Sequence, residues 1–91
     1  MKCTAQELPE AIAAARRQMA GGQPLTNDRR PVVYAGRLKH DPQHYRVGWA
    51  YQPRGRRVGD SVSGLSLPVL SIYAETPVIV WAEGEPCSAS T

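Results

Sequence analysis

The sequence predicts an α+β domain in which one N-terminal helix packs on a four- or five-stranded antiparallel β-sheet. Three observations lead to this fold class. An apolar stripe of helical period lies near the N-terminus, short apolar or alternating runs typical of strands follow it, and turn-forming residues separate these runs. A helix followed by consecutive short strands favours an antiparallel sheet with the helix on one face. A chain of 91 residues is expected to form a single domain, 1–91.

The predicted helix covers about residues 5–20. Thr4, followed three residues later by Glu7, matches a capping box, so the helix should begin close to Thr4. Apolar residues then recur at helical spacing and form one stripe that can pack against a sheet. The stripe consists of Leu8, Ile12, Ala15 and Met19. Two consecutive glycines, Gly21 and Gly22, favour the end of the helix.

Five runs of residues after the helix are expected to form short strands. The second alternates aromatic and apolar side chains with smaller or charged ones, and the last is a β-branched and aromatic run typical of a central strand. For the fourth run a short helical turn is the alternative, because Pro68 suits a strand only at its start or at a sheet edge. The strands are predicted at about 32–38, 44–51, 57–63, 68–74 and 78–82, and the tail 84–91 is expected to be frayed.

A β-hairpin with a cationic tip is predicted between the second and third of these runs. Pro53 and Gly55 interrupt the strand pattern where a turn is required. Arg54, Arg56 and Arg57 lie in the same stretch. The tip should therefore carry three guanidinium groups, which a domain of this size can hardly bury.

Charge is distributed unevenly along the chain. Residues 29–57 contain eight lysines and arginines against one acidic residue, Asp41, whereas residues 58–91 contain four acidic residues and no lysine or arginine. This asymmetry indicates an anionic partner for the middle of the chain. The alternative is that the acidic C-terminal strands pair with the basic central ones within one sheet and neutralise most of the field.

The N-terminus and the two cysteines bear on the cellular compartment. The first residues contain no apolar run that could serve as a secretory signal, so a cytoplasmic protein is expected. No segment approaches the length of about 18 apolar residues that a membrane span needs. Cys3 and Cys87 are the only cysteines. Two free thiols are expected in a reducing compartment, and a disulfide that joins the ends of the chain is the alternative.

No residue pattern predicts a catalytic site, a metal site or a cofactor. The stretch Gly59-Asp60-Ser61 matches the trio around some serine nucleophiles, but it departs from that pattern at the next position and is better explained as a hairpin-end loop. His40 and His44 are separated by Pro42, which opposes the helix that would aim both imidazoles at one metal. Glycine-rich phosphate-binding loops are also missing from the sequence. We therefore expect a protein that is not an enzyme.

The residues predicted to contact a partner combine arginines with aromatic rings. They are Arg46, Trp49, Tyr51, Arg54, Arg56 and Arg57. Planar cations beside aromatic rings can hold phosphates and stack bases, and the same residue types anchor protein interfaces. The alternative for Tyr45 and Trp49 is that they face the helix as core, in which case binding depends on the arginine tip.

Three functions are consistent with these features. The first is a small binding protein that regulates or inhibits a larger protein complex, including one that handles nucleic acid, by covering an acidic surface. Small inhibitors from phage and other mobile elements, anti-CRISPR proteins among them, share this size and character. The second function is direct binding of nucleic acid through the basic residues 29–57. The third is an accessory or oligomer-forming structural subunit that exposes an edge strand.

Overall fold

The computed structural model describes residues 2–19 and 28–84, which form an α+β fold with one N-terminal helix on a four-stranded antiparallel sheet. The strands lie in the order β1-β3-β2-β4 across the sheet. Their bounds are β1 Lys2–Thr4, β2 Arg29–Arg37, β3 His44–Pro53 and β4 Val78–Ala82. The predicted fold class is confirmed.

The N-terminal helix, α1, spans Leu8–Met19 and follows a 3-10 turn at Ala5–Glu7. The predicted capping pair is present at its start. The Thr4 N–H donates to Glu7 Oε1 at 2.9 Å, and this bond lowers the pKa of Glu7. The buried residues of the helix are Ala11, Ala15 and Met19, and they pack with residues of β2 and β3. The predicted helix is confirmed as far as residue 19, and residue 20 lies outside the described residues.

The hairpin of this fold joins β2 to β3, so the predicted hairpin on the C-terminal side of β3 is wrong. The two strands pair over nine positions, from Arg29 opposite Pro53 to Arg37 opposite Tyr45. The turn between them lies at residues 38–43. On its other side β3 pairs with β1. The alternating run is therefore a central strand whose two partner strands both precede it in the chain.

The sheet carries a hydrophobic core on each face. On the side of α1, here called the helix face, Val33, Ala35 and Val47 pack against Ala11 and Ala15. Half-buried side chains surround this core, namely Leu8, Ile12, Tyr45, Trp49, Val80 and Trp81. The helix thus covers its face of the sheet through aliphatic and aromatic contacts.

The opposite face, here called the loop face, is covered by the segment 54–77. Val62 and Tyr73 of this segment pack against side chains of β2 and β4. The buried residues of this second core are Val32, Tyr34, Val62, Tyr73, Ile79 and Ala82. A largely irregular segment therefore supplies one side of a core, and the sheet lies between α1 and this segment.

The predicted strand at 57–63 is wrong, although this segment follows the edge of the sheet. Backbone hydrogen bonds to the outer edge of β4 join Gly59 to Ile79 at 2.9 Å and Val62 to Pro77 at 3.0 Å. Gly59 has a φ of 97°, a left-handed conformation that interrupts an extended strand. The segment consequently protects the β4 edge without forming a regular strand.

The predicted strand at 68–74 is also wrong, and the helical-turn alternative is correct for its first half. A short helix, α2, spans Leu67–Leu70. Pro68 lies in its first turn, where the N–H that proline lacks would have no partner within the helix. In the second half of the predicted strand, Tyr73 forms an isolated antiparallel β-bridge with Leu38, the residue that follows β2.

Sequence reasoning did not predict β1. Its three residues carry no apolar period, and their pairing partners, His44–Arg46, lie far along the chain. Two contacts hold the strand in place. Cys3 is buried in the helix-face core, and Lys2 Nζ lies 2.9 Å from Asp41 Oδ2 in the turn before β3.

Two tyrosines lie side by side in the loop-face core. Only 8% of Tyr34 and 5% of Tyr73 is exposed, and both belong to the same buried cluster. Burial, assisted by the neighbouring Tyr34, raises the pKa of Tyr73 to about 12. The folded protein therefore holds the Tyr73 proton at pH values where the unfolded chain has released it.

Alkaline pH is expected to destabilise the fold through Tyr73. The unfolded chain releases this proton near its ordinary pKa of 10.0, and the folded protein releases it at about 12. Between these values the unfolded state binds fewer protons, so the free energy of unfolding falls as pH rises. Tyr73→Phe should make the urea midpoint less dependent on pH across this interval. Identical slopes for the variant and the wild type would contradict the burial of this hydroxyl.

Candidate binding surfaces

Strand alternation in β3 places the predicted site residues on opposite faces of the sheet. Trp49 and Tyr51 lie on the helix face, where their rings meet edge-on at 5.7 Å, whereas Arg46 lies on the loop face. Tyr45 and Trp49 pack against the helix-face core, so the alternative that they are core residues is confirmed. Tyr51 lies nearer the arginine-rich turn, since its carbonyl accepts a hydrogen bond from Arg29 Nη1 at 3.3 Å. Because side chains alternate along a strand, the sequence spacing of Arg46 from Trp49 and Tyr51 already implies that they lie on opposite faces of β3.

Three predicted arginines and one further arginine form a corner of the molecule, here called the arginine corner. It consists of Arg29, Arg54, Arg56 and Arg57. Arg29 begins β2 directly opposite Pro53, and the next N–H, that of Arg54, donates to the Asp28 carbonyl at 3.2 Å. Arg29, Arg54 and Arg57 are exposed, and Arg56 is half-buried. The predicted residues Arg54, Arg56 and Arg57 therefore lie on turns that follow a central strand.

Local hydrogen bonds hold the turns of the arginine corner. The Arg56 N–H donates to the Pro53 carbonyl at 2.9 Å, and Arg56 Nη1 donates to the Ser61 carbonyl at 3.2 Å. The Arg57 N–H donates to Asp60 Oδ2 at 2.9 Å. The aspartate of the trio that resembles a serine-nucleophile motif thus closes a turn.

A buried arginine anchors the corner from inside. Arg30 is 8% exposed, and it donates from Nη2 to the Arg56 carbonyl at 2.7 Å and from Nη1 to the Glu83 carbonyl at 3.1 Å. Hydrogen bonds from an ionised donor are roughly twice as strong as neutral ones. Arg30 thus ties the turn after β3 to the turn after β4. Sequence reasoning missed this role, although Arg30 is in phase with Val32 and Tyr34 on the loop face of β2.

Carboxylates offset part of the positive charge of the corner. Asp28, Asp60 and Glu83 lie on the segments that build it, alongside five arginines when buried Arg30 is included. Pairing between the basic centre and the acidic C-terminal part also occurs elsewhere, since Arg37 Nη2 lies 3.4 Å from Glu75 Oε1. Positive charge nevertheless predominates at the arginine corner.

The Arg46 guanidinium is unpaired among residues 2–19 and 28–84. It is exposed, and it forms no hydrogen bond or ion pair with any residue in the part of the chain that the structure describes. Its neighbours across the sheet are Lys2 of β1 on one side and Gly36 of β2 on the other. Arg46 is therefore a second candidate contact, separate from the arginine corner.

His40 lies in the turn before β3, and His44 is the first residue of that strand. His44 Nδ1 lies 2.9 Å from Asp41 Oδ1, which the hairpin turn brings close. Within residues 2–19 and 28–84, no group of three or more His, Cys, Asp or Glu side chains could hold a metal ion. Cys3 is buried, and burial raises the pKa of its thiol. Cys87 lies outside the described residues, so the state of the cysteine pair stays a prediction.

The short helix α2 presents apolar side chains at the surface. Leu67 is 80% exposed and Val69 is 37% exposed, and Pro68 between them is exposed as well. Exposed apolar groups that lie together are typical of contacts with other proteins.

No helix among the described residues is long and apolar enough to cross a membrane.

Comparison with known proteins adds no family assignment. No protein-family model matches the chain, and no match is found among curated proteins or solved structures. Functional conclusions therefore depend on the chemistry of the surfaces described above.

Proposed function

We propose that this chain is a small non-enzymatic binding protein that attaches to an acidic surface of a larger protein or protein complex. By covering that surface it regulates or inhibits the complex. The observation that carries the proposal is the arginine corner, which buried Arg30 holds in one shape. Small inhibitors from phage and mobile elements, including anti-CRISPR proteins, act in this way, and size and charge are what connect the chain to them.

Preorganisation of the corner supports a binding role. A loop that is ordered before it meets its partner loses less conformational entropy on binding. Here the turns are fixed by backbone hydrogen bonds and by Arg30, while Arg54 and Arg57 remain exposed. Guanidinium groups presented from an ordered backbone can form paired hydrogen bonds with carboxylates, which gives direction as well as attraction.

The surroundings of the corner favour a protein partner over nucleic acid. Single-stranded nucleic acid is usually gripped by aromatic rings that stack on bases beside the cations. Trp49 instead packs against the helix-face core and is not available to stack on a base. The exposed apolar side chains of Leu67 and Val69 also suit a protein interface.

Direct nucleic-acid binding is the second candidate, because several arginines in one corner could also contact consecutive phosphates. A phosphate-dependent contact has a distinct signature. Affinity for an oligonucleotide would fall steeply with salt concentration, by a slope that reflects the number of phosphates neutralised. A protein partner would be retained after all nucleic acid has been digested.

Charge reversal at the corner tests the proposal. The double variant Arg54→Glu and Arg57→Glu is expected to lose about 100-fold or more in affinity for the partner, because like charges would face each other across the interface. The partner is first captured from the native host with the wild-type chain after nuclease treatment and is identified by mass spectrometry. Affinity is then measured with purified components.

The matched control carries the same change in net charge elsewhere. Arg17→Glu and Lys39→Glu alter two exposed cations outside the arginine corner, and this double variant should bind within about threefold of wild type. Equal losses for both double variants would refute a role specific to the corner. Loss of all capture on nuclease treatment would favour the nucleic-acid candidate instead.

A further inference from the structure

One side of β3 is an open sheet edge over the C-terminal part of the strand. β1 pairs with β3 only from His44 to Arg46, although β3 continues to Pro53. No strand in the described part of the chain pairs with residues 48–53 on this side, and these residues are here called the open edge. The outer edge of β4 is different, because backbone hydrogen bonds from the segment 54–77 cover it.

Hydrogen bonds at both ends of β3 show which backbone groups face the open edge. In an antiparallel pair, residues that bond to the partner strand alternate with residues whose N–H and C=O point away from it. The Leu38 N–H donates to the His44 carbonyl at 3.0 Å, and the Arg54 N–H donates to the residue before β2 at 3.2 Å. The even-numbered residues of β3 therefore bond to β2, and Trp49 and Tyr51 direct their backbone groups toward the open edge.

Three of these backbone groups have no partner in the part of the chain that the structure describes. They are the N–H and the C=O of Trp49 and the N–H of Tyr51. The Tyr51 carbonyl accepts bonds from two side chains, from Gln52 Nε2 at 3.2 Å and from Arg29 Nη1 at 3.3 Å. An extended backbone with unpaired donors and acceptors can pair with a strand of another protein.

Cations lie at the end of the open edge that is next to the arginine corner. Its hydrogen bond to Tyr51 places the Arg29 guanidinium at the edge itself, and Arg54 follows directly after β3. A second copy that paired with this edge about a two-fold axis would bring these two arginines toward its own Arg46 at the start of β3, and like charges would meet. Charge therefore favours an acidic strand over a second copy of the chain.

We propose that the partner protein adds an extended acidic segment to the open edge, as a further strand in line with β1. Its backbone bonds to Trp49 and Tyr51, and a carboxylate near its N-terminal end contacts Arg29. The added strand runs antiparallel to β3, as β1 does. Backbone pairing supplies affinity, and the carboxylate selects the register. The assignment of this strand to the partner rests on the proposed function.

Amide hydrogen exchange in the isolated chain tests whether the edge is open. The amides of Trp49 and Tyr51 should exchange at least about tenfold faster than those of Gly48 and Ala50, which bond to β2. Equal protection of all four amides would show that the edge is already paired and would overturn the inference. Protection that increases with protein concentration would identify a second copy as the occupant, with the same consequence.

A synthetic peptide serves as the probe for strand addition. Acetyl-Asp-Glu-Thr-Val-Thr-Val-Thr-amide combines β-branched residues with two carboxylates at its N-terminal end. We expect a Kd of about 0.1–1 mM, and at about ten times this concentration the Trp49 and Tyr51 amides should exchange about tenfold more slowly. Methylation of the backbone nitrogen at two adjacent central residues, one at a time, should weaken binding about tenfold or more at one residue and less than about threefold at the next. Equal losses at both residues would refute backbone pairing.

Charge variants test the contact with Arg29. A neutral peptide, with Asn and Gln in place of the two acidic residues, should bind the wild-type chain about tenfold more weakly. Arg29→Gln should weaken binding of the acidic peptide by a similar factor, and its unchanged binding of the neutral peptide would report that the variant is folded. Arg37→Gln is the control, since Arg37 ends β2 and pairs with Glu75. Equal affinities of the two peptides for the wild type, or equal losses in the two variants, would overturn the assignment of an acidic strand.

The outcomes for the added strand and for the proposed function are separable. If the arginine corner is needed for partner capture but the Trp49 and Tyr51 amides exchange equally fast in the free chain and in the captured complex, the added strand is wrong and the proposed function stands. If the peptide pairs with the edge but the nuclease-treated chain captures no protein, the open edge binds strands. In that case the assignment of its strand to a partner protein is refuted.

Discussion

Replacement of Gly48 by alanine is expected to lower the free energy of unfolding by about 2–3 kcal/mol, because the added methyl group overpacks the loop-face core. The new Cβ would lie 2.6 Å from the Tyr34 hydroxyl oxygen and 2.7 Å from Tyr34 Cζ. The tyrosine has little room to move aside, since it is 8% exposed and packed in the loop-face core. Urea denaturation monitored by tryptophan fluorescence measures the loss.

Gly55 offers the matched control for this substitution. A Cβ at Gly55 would meet no atom within 4 Å, and its backbone is not in the left-handed region. Gly55→Ala should therefore change the free energy of unfolding by no more than about 0.5 kcal/mol. If Gly48→Ala and Gly55→Ala were equally stable, the packing of the Tyr34 ring on β3 would be wrong.

Replacement of Arg30 by methionine is expected to destabilise the fold by about 3 kcal/mol. Methionine keeps much of the aliphatic volume but donates no hydrogen bond. The carbonyls of Arg56 and Glu83 would then lose the donors that now lie 2.7 and 3.1 Å away. The loss should be largest in the arginine corner, because Arg30 connects its turn to the turn after β4.

Amide hydrogen exchange combined with denaturation tests this prediction. On substitution of Arg30 by methionine, the amides of residues 56–60 should lose more protection from exchange than the amides of β2 and β3. The affinity for the partner should fall in parallel. Arg29→Met is the control, since Arg29 is exposed and its side chain donates one bond of 3.3 Å to the Tyr51 carbonyl. A similar stability for the two methionine variants would refute the anchoring role of Arg30.

The elements predicted well are those with a local cause. The helix has its capping pair, its apolar period and a sequence of twelve residues without an interior breaker from Leu8 to Met19. The last strand was predicted at 78–82 and is β4, Val78–Ala82, because a β-branched and aromatic run fits the buried pleat of a sheet. In both cases neighbouring residues alone specify the conformation.

The elements predicted poorly depend on contacts between distant residues. β1 is too short to carry a period and exists through pairing with β3. The apolar residues of the segment 54–77 predict strands. In the structure these side chains fill the loop-face core, although the backbone that carries them is largely irregular. Pattern alone cannot distinguish apolar residues that form a strand from those that cover one.

The sequence predicted a turn rich in arginines, but it did not predict how the other candidate residues are arranged around the sheet. Arg54, Arg56 and Arg57 form part of one exposed corner, as the arginine-rich turn indicated, but Trp49 belongs to the helix face and Arg46 to the loop face. Arg30 was not predicted as a functional support, because an arginine at a strand start is usually solvated.

The sequence by itself determined the α+β class, the helix, the aromatic strand and the supply of arginines to the turn after β3, because local periodicity and turn residues control these features. Tertiary structure alone decided which strands pair, which face each side chain of β3 meets, and that Arg30 is buried while Arg46 is left unpaired among the described residues. The physical reason is that hydrogen-bond partners and burial come from residues far apart in the chain, brought together only when the two cores form on opposite faces of the sheet.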